Sequence, residues 1–353
     1  MTQNQNHFHV YVGAYAEPEN KSIYYYHLSK DNGEWKSEGH LSGEDHSSFQ
    51  IIDPSGQYLF STCNLSDGSG GIASYRIDPD TKQLTLLSTQ PVDGAGPCYI
   101  SLTHDGKHLL TANYRGGNVS ALPVENGHIQ PVSDTAAHKG SGPNQARQEG
   151  PHPHSIQPGL GSKYIFACDL GTDKIYVYEL EQGKFKLHRE IETAPGAGPR
   201  HMAFHPKAPY AYVIHELDST VSVYEYDAAG GDLKEIQKIS TLPEGFKDEN
   251  TAADIHLSPC GQFLYGSNRG HDSIVVYQVD ASTGKLSFVE HASTQGKGPR
   301  NFAITADGTM VIAANQGSGS LISYRRDADS GKLTPLNMTG GLLQPVCVTV
   351  YEK

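Results

Sequence analysis

The residues most able to do chemistry fall in one stretch, GPRHMAFHPKAPYAYVIHELDSTVSVY from Gly198 to Tyr224. Arg200 and His201 open its first apolar run, and His215 and Glu216 close its second. A guanidinium binds oxyanions, an imidazole moves protons near neutral pH, and a carboxylate accepts a proton or anchors a cation. Apolar runs rich in Val, Ile, Tyr and Phe, broken by Gly, Pro, Asp and Ser, read as antiparallel strands. The start of one strand of a hairpin and the end of the next share an edge, so these four side chains are expected at one rim.

The strands that must hold them recur. Aligning the residue that ends each second strand gives Asn64, Asn113, Asp169, Glu216, Asn268 and Asn315, spaced by roughly 50 residues, the period of propeller blades. The turns recur as well: DPSG at 53–56, HDG at 104–106, SPCG at 258–261 and ADG at 306–308 join first to second strands. IDPDTKQL, VDASTGKL and RDADSGKL join third to fourth. Six units are complete. The C-terminal QPVCVTVYEK supplies a lone first strand and the N-terminal HVYVGAY a second, with SIYYYHL a third. Pairing the two ends removes a free sheet edge. The expected fold is therefore all-β, a seven-bladed propeller of four-stranded antiparallel blades closed by both terminal strands, with residues 1–353 as one domain. Two insertions, Asp134–Glu149 and Pro243–Asn250, precede first strands and fall on the same rim; long loops in a compact repeat are often functional.

Around the ring, only Asp169 and Glu216 among the aligned positions are acidic, and Tyr15 takes that place in the N-terminal unit. Residues following Gly-Pro at first-strand starts form a second ring of Cys98, His152, Arg200 and Arg300, with His154 added by GPHPH. Arg269 and His271 in NRGHDS and Gln316 in NQGSG extend it, and Arg147 joins from the longer loop. Some of these have plain structural readings. His201 and His215 could bridge blades, Asp169 suits an ion pair with Arg200 or Arg269, and the repeated Asn suits backbone bonding at strand ends. His128, His138, His188 and His291 are expected at the surface. Four arginines facing one cavity repel one another unless an anion is bound there.

Composition narrows the partners. The chain is 37% hydrophobic and 19% charged with 38 Gly and 20 Pro, which suits a large core with many turns. Its net charge of −12 disfavours nucleic acid and anionic membrane. Five cysteines, scattered without a C-x-x-C pair, fit reduced thiols in a cytoplasmic protein. The sequence shows no signal-peptide pattern and no apolar stretch of membrane-spanning length.

The motifs GPHPHS, GPRHMAFHP, LPEGFKDENTAADIHLSP, NRGHDSI and GPRNF with ANQ resemble the lactonase family of seven-bladed propellers, whose bacterial members include 6-phosphogluconolactonases and to which fungal carboxymuconate lactonizing enzymes are related. The resemblance spans the whole chain. One departure is SPCG, where Cys260 stands in place of the usual Asp. The resemblance implies a catalytic site near His154, Arg200, Glu216 and Arg269 and a small anionic lactone as substrate, most specifically 6-phospho-D-glucono-1,5-lactone of the pentose phosphate pathway. Arg147 in ARQEGPHPH also matches the family pattern, and His152, His201, His215, His271, Arg300 and Gln316 are expected to complete the substrate site. No G-x-S-x-G elbow is present, so direct attack by water is expected, with Glu216 or His154 as base and Arg200 on the oxyanion. Arg269, with Arg300 or Arg147, is expected to hold the phosphate. No cofactor is expected, and no metal, because the arginines would repel a cation and no H-E-x-x-H spacing occurs. The alternatives are a lactonizing cycloisomerase acting on a carboxylated muconate and a non-enzymatic binding propeller.

Overall fold

The computed structural model describes residues 6–17, 20–42 and 46–351. Every regular element among them is a strand, and no helix is long and apolar enough to cross a membrane. Residues 1–5 and 352–353 of the expected single unit lie outside the described residues.

The strands differ in burial according to their place in a blade. Tyr164–Asp169 (YIFACD) is buried throughout, and Tyr210–His215 (YAYVIH) nearly so, because each sheet is packed between two others and both faces of its middle strands lose contact with water. Outer strands such as Lys184–Glu192 (KFKLHREIE) place polar residues outward and stay largely exposed.

These strands form seven antiparallel sheets. Their inner strands are Gln50–Ile52, Pro97–Leu102, Pro153–Pro158, Pro199–Phe204, Thr251–Leu257, Pro299–Ile304 and Pro345–Tyr351. Successive inner strands adjoin one another and the last adjoins the first, so the sheets are the blades of a closed seven-bladed propeller. Closure is as expected from the sequence: the C-terminal strand pairs with His7–Ala14, from His9 opposite Tyr351 to Ala14 opposite Pro345. One expectation changes. The start of the first insertion, Asp134–Ala137, is a strand pairing with Asn118–Glu125, so only the residues after it form the loop.

The core lies between the blades. Tyr164, Phe166 and Val177 of one blade pack with Met202, Val213 and Tyr224 of the next. The same layer recurs where the chain ends meet: Val10, Val12 and Tyr24 pack on Met310 and Ile312, while Tyr11 and Ile23 pack on Leu59 and Tyr75. Polar tips are satisfied across the same boundaries, as where the Tyr212 hydroxyl donates to Gly284 O at 3.0 Å. Gly284 has φ +69°, and a Cβ there would stand 2.4 Å from the Tyr210 ring, so only glycine fits under that aromatic.

Deleting Gln344–Lys353 removes an inner strand with Val346, Cys347, Val348 and Tyr351, all buried. Losing even one large core side chain costs about 2–5 kcal/mol, against a total stability of about 5–15 kcal/mol for typical domains. The truncated chain is therefore expected to lose its cooperative thermal transition in circular dichroism. An unchanged melting midpoint would show that the terminal strand does not close the ring.

Candidate active site

The site is built by an irregularity that recurs from blade to blade. Strand register slips between Pro97 and Tyr99, Pro153 and Ser155, Pro199 and His201, and Pro299 and Asn301, leaving Cys98, His154, Arg200 and Arg300 as the bulged residues. A bulge re-aims a side chain that regular pleating would send between sheets. The residue following the second Pro of GPHPH is thus His154; His152 does not hold that position.

The opposing strand carries the second ring, and here one alignment is corrected. Pro97 faces Asn113, Pro153 faces Asp169, Pro299 faces Asn315, and Pro199 faces His215. His215 is therefore the counterpart of the repeated amides. It bonds Ser222 Oγ at 2.9 Å, as Asn113 bonds Ser120 Oγ at 3.0 Å. Glu216 is one residue further on, level with Tyr114, Arg269 and Gln316. In a strand a shift of one residue reverses the face, so Glu216 reaches the channel while His215 stays inside the blade.

At this end of the channel lies a cavity of about 450 Å³ bounded by Tyr15, His46, Cys98, Tyr114, Arg115, Arg147, His154, Glu216, Arg269 and Arg300, among others. Glu216 is the one carboxylate among the described residues of that lining. One of its oxygens receives Arg147 NH2, and the other receives Arg200 Nε at 2.9 Å and Arg269 NH2 at 3.0 Å. Burial alone would raise its pKa, but Arg269, Arg200 and Arg147 outweigh that and hold the carboxyl well below the usual carboxylate range. Arg200 is only 1% exposed and does not line the cavity. It lies behind Glu216, also donating to Ala253 O at 2.5 Å and to His201 Nε2 at 3.2 Å. Burial, then Arg300 and Arg269, pull its pKa down to about 9. Arg300 spends its charge differently, with its guanidinium 5.4 Å from the Tyr15 ring centre.

His154 is 3% exposed and lines the cavity with its Nδ1 3.7 Å from Cys98 Sγ. Burial, then the charges of Arg200, His201 and Arg300, hold its pKa well below the ordinary histidine value, so at neutral pH it is an uncharged imidazole. Burial pushes the Cys98 thiol up to about 12, so it is not a thiolate.

The other expected substrate contacts lie outside this lining. His152 stacks on Tyr114 with ring centres 4.5 Å apart and bonds Tyr114 O, bracing that residue from behind. His271 bonds Ser273 Oγ at 2.7 Å and packs on Phe246 and His291. Gln316 bonds Gln344 at 3.3 Å. His201 lies beneath Arg200 and lines a separate cavity of about 340 Å³ formed by the far ends of the inner strands. Asp169 pairs with neither Arg200 nor Arg269. It bonds His138 Nδ1 at 2.6 Å, and its other oxygen accepts from the backbone of His152, Gly171 and Thr172. His138 is therefore buried, contrary to its expected surface place, and the pair anchors the loop that carries Arg147.

Sequence reading missed His46, Tyr114 and Arg115 in the lining, and Asp254 beneath it. Tyr114 was reachable, since it follows Asn113 as Glu216 follows His215. Arg115 lies over Gly96, where φ is +61° and a Cβ would come 2.8 Å from Arg115 Nε. Among the described residues, no group of three or more His, Cys, Asp or Glu is disposed to hold a metal ion.

A family model described as Lactonase, 7-bladed β-propeller, matches residues 9–350. The chain is 39% identical over 339 residues to a 6-phosphogluconolactonase of Bacillus subtilis, covering 96% of this chain and 97% of that one. It is 33% identical to a 6-phosphogluconolactonase of Formosa agariphila, covering 86% and 88%. The solved structure of a periplasmic gluconolactonase of Pseudomonas aeruginosa superposes with a TM-score of 0.92 at 32% identity, covering 98% of this chain and 99% of that one.

Glu216→Gln leaves three guanidinium groups without their shared counter-charge. Breaking a buried pair in this way costs about 3–5 kcal/mol, so the melting temperature should fall. An anion that binds only the folded state offsets such a loss. Inorganic phosphate is therefore expected to raise the variant's melting temperature more than that of the unmutated protein. Equal midpoints for both proteins in phosphate-free buffer would remove Glu216 from the centre of the lattice.

Proposed function

The chain belongs to the lactonase family of seven-bladed β-propellers and is an enzyme of the lactone-hydrolase type. On that premise we propose that it opens 6-phospho-D-glucono-1,5-lactone to 6-phosphogluconate, a step of the pentose phosphate pathway. The observation that carries this reading is the cavity's charge: among the described residues, Arg115, Arg147, Arg269 and Arg300 line it against the single carboxylate of Glu216. Such a site favours an anion, and its volume of about 450 Å³ suits a molecule the size of a sugar phosphate. The five free cysteines support a cytoplasmic location.

His154 is the better base. Glu216 is already committed to three arginines, which lowers its basicity, whereas His154 is neutral and borders the same space. It takes a proton from water as the water oxygen bonds to the lactone carbonyl carbon. The developing oxyanion is stabilised by Arg300 and Arg269, since Arg200 is covered by Glu216. Collapse of the tetrahedral intermediate breaks the bond from that carbon to the ring oxygen, which recovers the proton from the His154 imidazolium. Arg115 and Arg147, where the cavity opens, hold the phosphate. Glu216 and Arg200 fix the other cations in place, so Arg200→Ala and Glu216→Gln each lower turnover although neither performs the proton transfer.

Timed loss of the phosphorylated lactone, with spontaneous hydrolysis subtracted, tests the substrate. The unmutated protein should accelerate it, and Arg200→Ala and Glu216→Gln should each reduce the acceleration by about 10²-fold. Activity should survive prolonged dialysis against a strong chelator. Loss that is restored by zinc, manganese or calcium would overturn the mechanism, and turnover of carboxymuconate in place of the lactone would favour the cycloisomerase.

The pH profile tests the base. His154 must be unprotonated to act, and its pKa is depressed, so kcat should hold as pH falls through 6.5 and decline only well below it. His154→Gln should abolish that limb and lower kcat by about 10²–10⁴-fold. An acid limb centred at 6.5 or above, or one that persists in the variant, would assign the base elsewhere.

A further inference from the structure

Beneath the cavity a chain of hydrogen bonds runs through the ring. Arg200 Nε donates to Glu216, and Arg200 NH1 donates to His201 Nε2 at 3.2 Å. His201 Nδ1 then meets Asp254 Oδ1 at 2.7 Å, and Asp254 Oδ2 meets His256 Nε2 at 2.9 Å. His256 has 42% of its side chain exposed in the second cavity, at the other end of the channel. The chain therefore links the two mouths.

The chemistry of its members fixes the direction of each bond. A guanidinium can only donate, so His201 Nε2 must accept. An ionised carboxylate can only accept, and Asp254 is ionised: against the cost of burial, His256 and His201 hold it well below the usual carboxylate range. His201 Nδ1 must then carry the hydrogen. Only the neutral Nδ1–H tautomer satisfies both contacts, in keeping with burial and Arg200 pulling the His201 pKa down to about 4. Asp254 is itself rigidly placed. It accepts from Asn301 Nδ2 at 2.5 Å and from the backbone of Ile255 and Phe302, which ties it to two inner strands besides the bond to His201 on a third.

We infer that Asp254 is a positioning residue for the cavity: it locks His201 in the tautomer that accepts from Arg200, and thereby fixes Arg200 and Glu216 among the lining arginines. The inference rests on the lactonase reading for its kinetic consequence. The geometric claim stands apart from it. Among the described residues Asp254 makes no hydrogen bond to a residue that lines the cavity, so its removal should leave phosphate binding by Arg115 and Arg147 largely intact while disturbing the alignment on which turnover depends.

The test uses Asp254→Asn together with His201→Gln and His201→Leu. In Asp254→Asn, kcat should fall by about 10²-fold, the scale of a small misplacement in an active site, with KM little changed. His201→Gln, whose amide oxygen can still accept from Arg200, should retain far more activity than His201→Leu. Nitrogen-15 NMR of the ligand-free proteins supplies a readout independent of substrate. His201 should show the Nδ1–H tautomer in the unmutated protein and lose it in Asp254→Asn. The Arg200 Nε–H signal should persist in His201→Gln and broaden in His201→Leu. Unchanged kcat in folded Asp254→Asn, an unchanged tautomer there, or equal losses in the two His201 variants would overturn the inference. If the unmutated protein leaves the phosphorylated lactone untouched, the substrate reading fails, and the tautomer and Arg200 signals still decide whether Asp254 positions the lattice.

Discussion

The site depends on one shared counter-charge, the Glu216 carboxylate set among Arg147, Arg200 and Arg269. Burying a charge is costly unless it is paired and hydrogen-bonded, and no single guanidinium here has a carboxylate to itself. Glu216 lets three of them approach one another, while Arg300, over Tyr15, adds a further positive charge that Glu216 does not pair. The balance is an excess of positive charge in a pocket on a protein whose net charge is −12. A pocket of that charge attracts anions and repels cations, whereas the acidic remainder of the surface does the reverse.

Such a lattice requires rigid support, which the propeller provides from several directions. Arg200, Arg269 and Arg300 belong to three different blades, and Arg147 arrives on a loop anchored by the buried Asp169–His138 pair. The cavity is thus a meeting point of separately packed sheets. Each sheet is held by apolar layers against both its neighbours, so the backbone at the bulges has little freedom. The bulges serve the chemistry and the sheets serve the bulges.

The blades were legible because their cause is local. Strand-forming runs, polar turns and a recurring period are properties of adjacent residues, and closure followed from finding a lone first strand at one end and a second and third strand without a first at the other. The gathering of Arg147, His154, Arg200, Glu216, Arg269 and Arg300 was also within reach, since strand starts and strand ends of one hairpin share a rim. The errors have a common origin. His152 was given the ring position that the bulged His154 holds, and Glu216 the place where His215 stands, because a bulge inserts one residue into a strand without altering its composition. Asp254 carried no signal at all: in TAADIHL it reads as a polar residue within a strand, and its partners His201 and Asn301 are each about fifty positions away.

The sequence by itself determined the propeller, its mode of closure and the cationic character of one mouth, because periodicity and residue type suffice for these. The tertiary structure alone decided which side chains face the cavity, that Arg200 lies behind Glu216, and that His138 is buried against Asp169. It also joined Glu216 to His256 through Arg200, His201 and Asp254. Facing and pairing depend on one-residue register shifts and on contacts between blades, and neither is written in the order of neighbouring residues.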